Sequence, residues 1–306
     1  MRVLIIGSKR LCLRMLEHLL AIDARAIVGL VTFDDAMDTR SELSALRALG
    51  QRRGLPVHVA DNRRHAEAIV GEIAPDLCLV LNWYWLIGAE TLARVPRGFL
   101  GVHYSPLPRY RGTSPVVWQM INGEADVWYS VFTLGAGMDE GDLWAQDRVV
   151  LGPDDRIGEV LQRLEDAVLR TFDSLYPALL AGTARATPQP DVPATYCAAR
   201  QPDDGGIDFT QSAQRCHDFI RAQAQPYPGA FTMLGDERLT IWRARPSTVT
   251  YYGRPGQVAQ VAPDGVTVIC GDNRPLVLLD VGWRGEIVSA ASVIRSIKVR
   301  LPATAP

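Results

Sequence analysis

Little in these 306 residues points to a metal, a membrane or a nucleic acid. The five cysteines (Cys12, Cys78, Cys197, Cys216, Cys270) are odd in number and widely spaced, with no Cys-x-x-Cys. That excludes a zinc ribbon or a dithiol redox motif and fits reduced, buried thiols in a cytoplasmic setting. There is no His-x-x-x-His and no cysteine cluster near a histidine, so no metal is expected. No apolar run reaches the roughly 18 residues of a membrane helix. The opening stretch, MRVLIIGSKR, is too short for a signal sequence and reads as a first strand. Neither sign of charge dominates: 32 basic against 34 acidic residues leave a net charge of −2, which argues against a broad basic face for nucleic acid. Gly7 stands alone after the first strand; without Gly-x-Gly-x-x-Gly, NAD is not expected. Internal repeats and low-complexity tracts are absent as well.

What is present is ordinary globular material, 47% apolar and 22% charged, in a chain long enough for two domains. Val3 to Ile6 is a continuous apolar run, as in a strand buried on both faces. Leu11 to Leu20 has helical spacing, Ala26 to Val31 is a second strand, and Ser41 caps a helix to Leu49. A third strand (Leu55 to Val59), a helix (His65 to Ile73) and strands at Leu77–Leu81 and Phe99–His103 follow. Strands alternating with helices predict an α/β fold with a Rossmann-like, doubly wound, mostly parallel sheet and functional groups at its carboxyl ends. Val127 to Leu134 and Leu143 to Leu151 read as strands flanking a turn, and Ile157 to Leu180 as a long helix. Turn composition then gives way to short strands separated by glycine turns, the pattern of a smaller β-barrel. The boundaries expected are residues 1–183 for the first domain, 184–204 for a linker and 205–306 for the second.

Chemistry concentrates between Gly98 and Asp142. His103 closes an apolar strand, and Asp139 and Asp142 lie on a later turn rich in glycine (Gly135, Gly137, Gly141). A histidine at a strand end and an acid on a neighbouring turn can form a base and its orienter. The other four histidines (His18, His58, His65, His217) fall in helical or strand patterns where packing or solvation accounts for them. Arg109 and Arg111 flank Tyr110 just past that strand, either as a solvated loop or as a clamp for an anion. Trp83, Tyr84 and Trp85 follow another strand and could be core or the wall of a flat heteroaromatic ligand. The residues alone support an enzyme with a histidine base and a carboxylate partner. A binding protein is the competing reading.

The run His103-Tyr-Ser105-Pro-Leu107-Pro108-Arg109-Tyr110-Arg111-Gly112, then Pro115, Asn122-Gly123-Glu124 and Gly137-Met-Asp139-Glu-Gly141-Asp142, resembles the 10-formyltetrahydrofolate-dependent formyltransferase family. Further on, Arg200-Gln-Pro202-Asp203-Asp204, Gly206-Ile207-Asp208-Phe209, Arg221-Ala222 and Pro226-Tyr227-Pro228-Gly229-Ala230-Phe231 are similar to the C-terminal segment of its methionyl-tRNA and UDP-aminoarabinose members. The resemblance implies a folate-binding catalytic domain and an OB-like barrel. It implies His103 as the base that takes the amine's proton, with Asp139 orienting the imidazole. It places Trp83, Tyr84, Trp85, Leu86, Ile87, Gly137, Asp139 and Asp142 against 10-formyltetrahydrofolate, and Ser105, Arg109, Tyr110, Arg111 and Gly112 against the substrate.

The family's asparagine two residues before the histidine is here Gly101. Glycine has no amide for an oxyanion, and losing one such donor typically costs about 3–4 kcal/mol. Asn82, at the end of the expected adjacent strand, is the candidate replacement. If oxyanion support is what is missing, Gly101→Asn should raise formyl transfer. Hydrolysis of the formyl cofactor and altered one-carbon or acyl chemistry are the alternatives that Gly101 opens. The stretch from Thr32 to Arg40 is acidic and short, which disfavours a tRNA backbone. The expected partner is therefore a small-molecule amine: an amino sugar first, possibly nucleotide-linked, then an amino acid or natural-product amine. No feature of the sequence marks an oligomer interface.

Overall fold

The structure, a computed structural model, describes residues 1–305. It begins with β1 (Val3–Gly7), α1 (Lys9–Asp23), β2 (Ile27–Phe33), α2 (Leu43–Arg53), β3 (Val57–Ala60), α3 (Arg63–Ile73), β4 (Leu77–Leu81), α4 (Ala89–Arg94) and β5 (Phe99–His103). These five strands run parallel in the order β3-β2-β1-β4-β5. After β6 (Arg111–Gly112) and α5 (Pro115–Ile121), β7 (Asp126–Thr133) joins β5 antiparallel, and β8 (Leu143–Val150) completes a seven-stranded sheet. The doubly wound, mostly parallel sheet read from the sequence is therefore present. Its strand order reverses at β1, so the crevice between the carboxyl ends of β1 and β4 is the topological switch point.

Alternation explains the apolar runs. Leu4, Ile6, Val31, Cys78, Val80 and Phe99 pack on Ala66, Ile69 and Val70 of α3. Val3, Ile5, Leu79 and Leu100, on the opposite face, are buried too. A sheet covered on both sides needs apolar residues at every position. Gly7 has a packing reason: a Cβ there would lie 2.2 Å from the Leu81 carbonyl oxygen, so β1 and β4 approach too closely for a side chain.

The remaining elements are α6 (Ile157–Ala181), β9 (Tyr196–Cys197), α7 (Ala213–Arg221), β10 (Ala230–Leu234), β11 (Glu237–Pro246), β12 (Val258–Ala262), β13 (Gly265–Ile269), β14 (Pro275–Trp283), β15 (Glu286–Ser289) and α8 (Ala290–Val293). Strands β10-β11-β14-β13-β12, with β15 on β14, form a separate antiparallel sheet. One core collects Leu239, Ile241, Val258, Val266, Leu278 and Val281 from its strands with Cys216 and Ile220 of α7, as in a small barrel-like roll.

The chain divides into two compact units. One holds Met1–Gly112, Trp128–Val149 and Arg163–Tyr196; the other holds Thr113–Val127, Val150–Gln162 and the chain from Cys197 on. The expected linker, 184–204, thus straddles the last change of unit, while α5 and the start of α6 group with the second. All five cysteines are free and buried. No helix among the described residues is long and apolar enough to cross a membrane.

Candidate active site

His103, Tyr110, Gly112, Phe132, Asp139, Gln189 and Thr195 all belong to the first unit. β5 delivers the imidazole: it pairs Gly101 with Phe132 and His103 with Ser130, so Gly101 and His103 share one face of the sheet. His103 is buried, and its Nε2 lies 2.8 Å from the carbonyl oxygen of Tyr110. A carbonyl can only accept, so Nε2 carries the proton and the neutral ring presents its lone pair at Nδ1. Nδ1 faces Asp139 Oδ2 at 3.6 Å. In that tautomer Nδ1 has no proton to donate, but the carboxylate is placed near the nitrogen that would carry Nδ1–H once the ring takes up a proton.

The backbone acceptor is itself braced. Tyr110 adopts a positive φ of 59°, and its N–H donates to Thr195 Oγ1 at 2.8 Å. Arg111 N–H donates to the Thr195 carbonyl at 2.8 Å. Asp139 also lies at positive φ, 51°. Its Oδ2 accepts the Gly112 N–H at 2.8 Å, and its carbonyl accepts from Gln189 Nε2 at 2.7 Å. Gln189 Oε1 in turn accepts from Arg111 at 2.7 Å. Positive φ recurs at Lys9 after β1 and Asn82 after β4, so strained backbone gathers at the carboxyl ends of the central strands.

The other expected residues sort by what they touch. Ser105 is fully buried; its hydroxyl donates to the Arg109 carbonyl at 2.7 Å, and its own carbonyl accepts from Ser130 Oγ at 2.6 Å. It shapes the loop that carries Tyr110. Arg109 is exposed and lies over the Tyr110 ring. Arg111 is half-buried, with its Nε lacking a partner. Asp142 is exposed, and its carbonyl accepts the Thr133 N–H at 2.9 Å, closing the hairpin. Glu140 folds over Gly137, where any Cβ would collide with that carboxylate.

Trp83, Trp85 and Phe33 at the end of β2 meet edge-on or tilted, with centroids 5.1–5.3 Å apart. Tyr84 and Leu86 are exposed. Trp83, Leu86 and Ile87 border a narrow cleft with Phe99, Thr91 and Glu67. Asn82 is exposed just beyond β4, which neighbours β5; its carbonyl accepts from Ser8 Oγ at 2.9 Å.

Gly101 is not an empty place. A Cβ there would lie 3.0 Å from Leu134 Cδ2 and 3.2 Å from Phe132 Cε1. Apolar side chains occupy the room an asparagine would need. The acidic loop also differs from its reading as a repulsive patch. Asp35 and Asp38 grip Lys9 Nζ at 2.6 and 2.9 Å, Asp38 also pairs with Arg40, and Asp35 accepts from Ser41 Oγ. Burial opposes the Lys9 charge, yet the two carboxylates outweigh it and hold its pKa above the ordinary value. Arg40 first, then Lys9, keeps Asp38 well below the carboxylate range.

Sequence reasoning missed Tyr110 as a backbone acceptor, and with it Thr195, Gln189, Lys9 and Phe33. Only Lys9 carried a signal, a cation just past the first strand in a chain with an acidic loop after the second.

A doubly wound sheet carrying a buried histidine at a strand end, with a separate antiparallel β unit later in the chain, is the architecture in hand. Family models narrow it. Residues 46–172 match the formyl transferase model and residues 200–298 match the formyl transferase C-terminal domain. The chain belongs to the formyl transferase family. Among solved structures it is similar to WlaRD, a sugar 3N-formyl transferase crystallised with dTDP and 5-N-formyl-THF, at 14% identity and TM-score 0.71, covering 91% of this chain and 97% of that one. The N-formyltransferase from Helicobacter canadensis, in complex with folinic acid and dTDP-3-aminofucose, matches at 13% identity and TM-score 0.71, over 91% and 98% of the two chains. HypX from Aquifex aeolicus, in complex with tetrahydrofolic acid, matches at 17% identity and TM-score 0.63 over 97% of this chain, which spans 47% of HypX. At these identities the likeness is one of fold.

Proposed function

We propose that this formyl transferase moves the formyl group of 10-formyltetrahydrofolate to the amine of a small molecule, an amino sugar being the first candidate. The observation that carries the reading is the placement of the His103 ring, with Nε2 2.8 Å from the Tyr110 carbonyl and Nδ1 3.6 Å from Asp139 Oδ2. An amine attacking an acyl carbon must lose a proton, and Nδ1 is the free base. Asp139 Oδ2, pinned by Gly112 N–H, then faces the imidazolium and offsets its charge. Two of the similar structures are sugar N-formyltransferases crystallised with dTDP or a dTDP-sugar, which supports the sugar class.

The folate would rest against the Trp83–Ile87 segment and the 137–142 turn. The apolar, aromatic character of that cleft fits a pterin, with Glu67 and Thr91 at its polar edge. The cofactor supplies the activated formyl group; the chain supplies the walls, the base and the exclusion of water. The cleft encloses only about 10 Å³, far below the roughly 300 Å³ at which ligand pockets begin. A pterin would therefore need side chains that border the cleft, of which Leu86 is the exposed one, to move aside. Asn82 is the proposed amide donor in place of the missing asparagine, supported by its exposed position beyond the strand next to β5.

A second reading has a specific observation behind it: Phe132 and Leu134 fill the side of Gly101, so the usual amide has no room. Water would then be the acceptor. Incubation with 10-formyltetrahydrofolate and a panel of amino sugars, nucleotide-linked sugars and amino acids separates the two. Formylated product in step with tetrahydrofolate supports transfer; release of tetrahydrofolate at the same rate without amine supports hydrolysis. Full turnover by a His103→Ala variant would sink both.

A further inference from the structure

We propose that the second unit holds its own binding site for a small phosphate-bearing molecule with a planar ring, of mononucleotide size, in the groove between α7, β11 and the 154–159 segment. A cavity of about 320 Å³ lies there, all of it lined by residues of that unit, and it falls in the roughly 300–1,000 Å³ range of small-molecule pockets.

The chemistry of the lining is directed. Arg221 on α7 and Arg243 and Arg245 on β11 converge on the cavity. Each is anchored by a carboxylate outside it: Asp218 at 2.8 Å, Asp280 at 2.7 Å and Asp264 at 3.4 Å. Arg221 also donates to the Gly152 and Asp155 carbonyls at 3.1 and 3.4 Å, whereas Arg243 and Arg245 keep further N–H donors on their planar forks, and anchored guanidiniums lose little freedom on binding an anion. Trp242 lines the same cavity and supplies a ring face for stacking. The pairing of β11 with β14 shifts register on both sides of Arg243. Such a bulge brings neighbouring side chains, which would otherwise alternate, toward one space, and bulges are common beside binding sites.

His217, one turn before Arg221, is the second pointer. It lines the cavity at 4% exposure, yet its Nδ1 is buried without a hydrogen-bond partner. Buried polar atoms are ordinarily satisfied. Its Nε2 lies 3.8 Å from Asp154 Oδ1, which favours the proton on Nε2 and leaves Nδ1 as an acceptor. A hydroxyl or ring N–H of a ligand would satisfy it. Guanidiniums for phosphate, an indole face for a ring and an acceptor for a donor group together describe a nucleotide rather than a bare anion. The site requires neither His103 nor folate, so it stands apart from the proposed reaction.

Isothermal titration with UMP, dTMP, AMP and inorganic phosphate tests it, on the full chain and on three variants. These are the Arg243→Ala/Arg245→Ala pair, His217→Gln and His103→Ala, each checked for folding by circular dichroism. The expected result is saturable binding of at least one nucleotide, weakened about tenfold or more by the arginine pair and by His217→Gln, and unchanged by His103→Ala. Quenching of Trp fluorescence by that nucleotide should diminish in Trp242→Phe. Any of three results overturns the proposal: no saturable binding at millimolar nucleotide, equal affinity for inorganic phosphate, or binding lost with His103→Ala but kept in the arginine pair. The last would place the nucleotide in the catalytic site instead.

Discussion

In the proposed reaction, His103 depends on atoms that do not belong to a side chain. The Tyr110 carbonyl fixes which nitrogen is free, and Thr195 holds Tyr110 by its N–H. Thr195→Val would remove the acceptor of that N–H while keeping the side chain's shape. Turnover should fall about tenfold or more with KM little changed, because a misaligned base is felt in the transition state rather than in ground-state binding. Unchanged turnover would show that the backbone holds its course without Thr195. At Gly101 the packing makes a different forecast from the sequence. Contacts of 3.0 and 3.2 Å to Leu134 and Phe132 mean that Gly101→Asn must displace apolar side chains before its amide can act. Overpacking of this kind costs about 1–3 kcal/mol. The single variant should melt at a lower temperature without gaining formyl transfer. Adding Leu134→Ala should recover part of the stability, and only that double variant should gain rate if an amide donor is what the site lacks. A gain in the single variant would show that Leu134 yields freely.

At the scale of elements, the loop after β2 is held by one cation. Lys9, at positive φ at the start of α1, has its side chain 9% exposed against Asp35 at 6%. Lys9→Met would leave Asp35 buried without its cation, and breaking a buried pair on one side typically costs about 3–5 kcal/mol. Urea denaturation should show a loss near the lower figure, since Ser41 still donates to Asp35 and Arg40 to Asp38. Trypsin should also cut faster at Arg40 in the native protein. Equal cutting rates would mean the loop is held by something else. Legibility in the sequence follows the same division. Elements with a period were readable: the apolar runs Val3–Ile6 and Leu77–Leu81 became central strands, and Ile157–Ala181 kept its helical stripe. His103 and Asp139 were readable because a strand end and a glycine turn leave marks in composition. Thr195 was not, being 85 residues from Tyr110 and meeting it only through backbone atoms. Nor was the filling of Gly101, which depends on β7 pairing antiparallel to β5 in one register. The Lys9 clip was half visible, as an acidic stretch whose partner lies 26 residues earlier.

For the whole molecule, the perturbed groups make acid the weak side of stability, in two separable steps. Burial holds His217 below its ordinary histidine value, with Arg221 adding to the effect and Asp218 and Asp154 opposing it. The unfolded chain therefore binds this proton first as pH falls. Stability contributed by the neutral ring is whole above the unfolded value of about 6.5 and is lost as pH drops from there toward the folded value. Asp38 has the opposite chemistry and the same sign. Its carboxylate is depressed by Arg40 and Lys9, so its contribution is whole above the ordinary carboxylate pKa and disappears only as pH falls below it. Glu165 works against both. Burial raises it despite Arg14 and Arg10, so protonation relieves rather than strains the fold. Urea midpoints measured from pH 8 to pH 3 should show a first decline beginning near about pH 6.5 and a second below about pH 4. His217→Gln should remove the first and keep the second, while Asp38→Asn should shrink the second and keep the first. If His217→Gln leaves the upper decline intact, another group carries it.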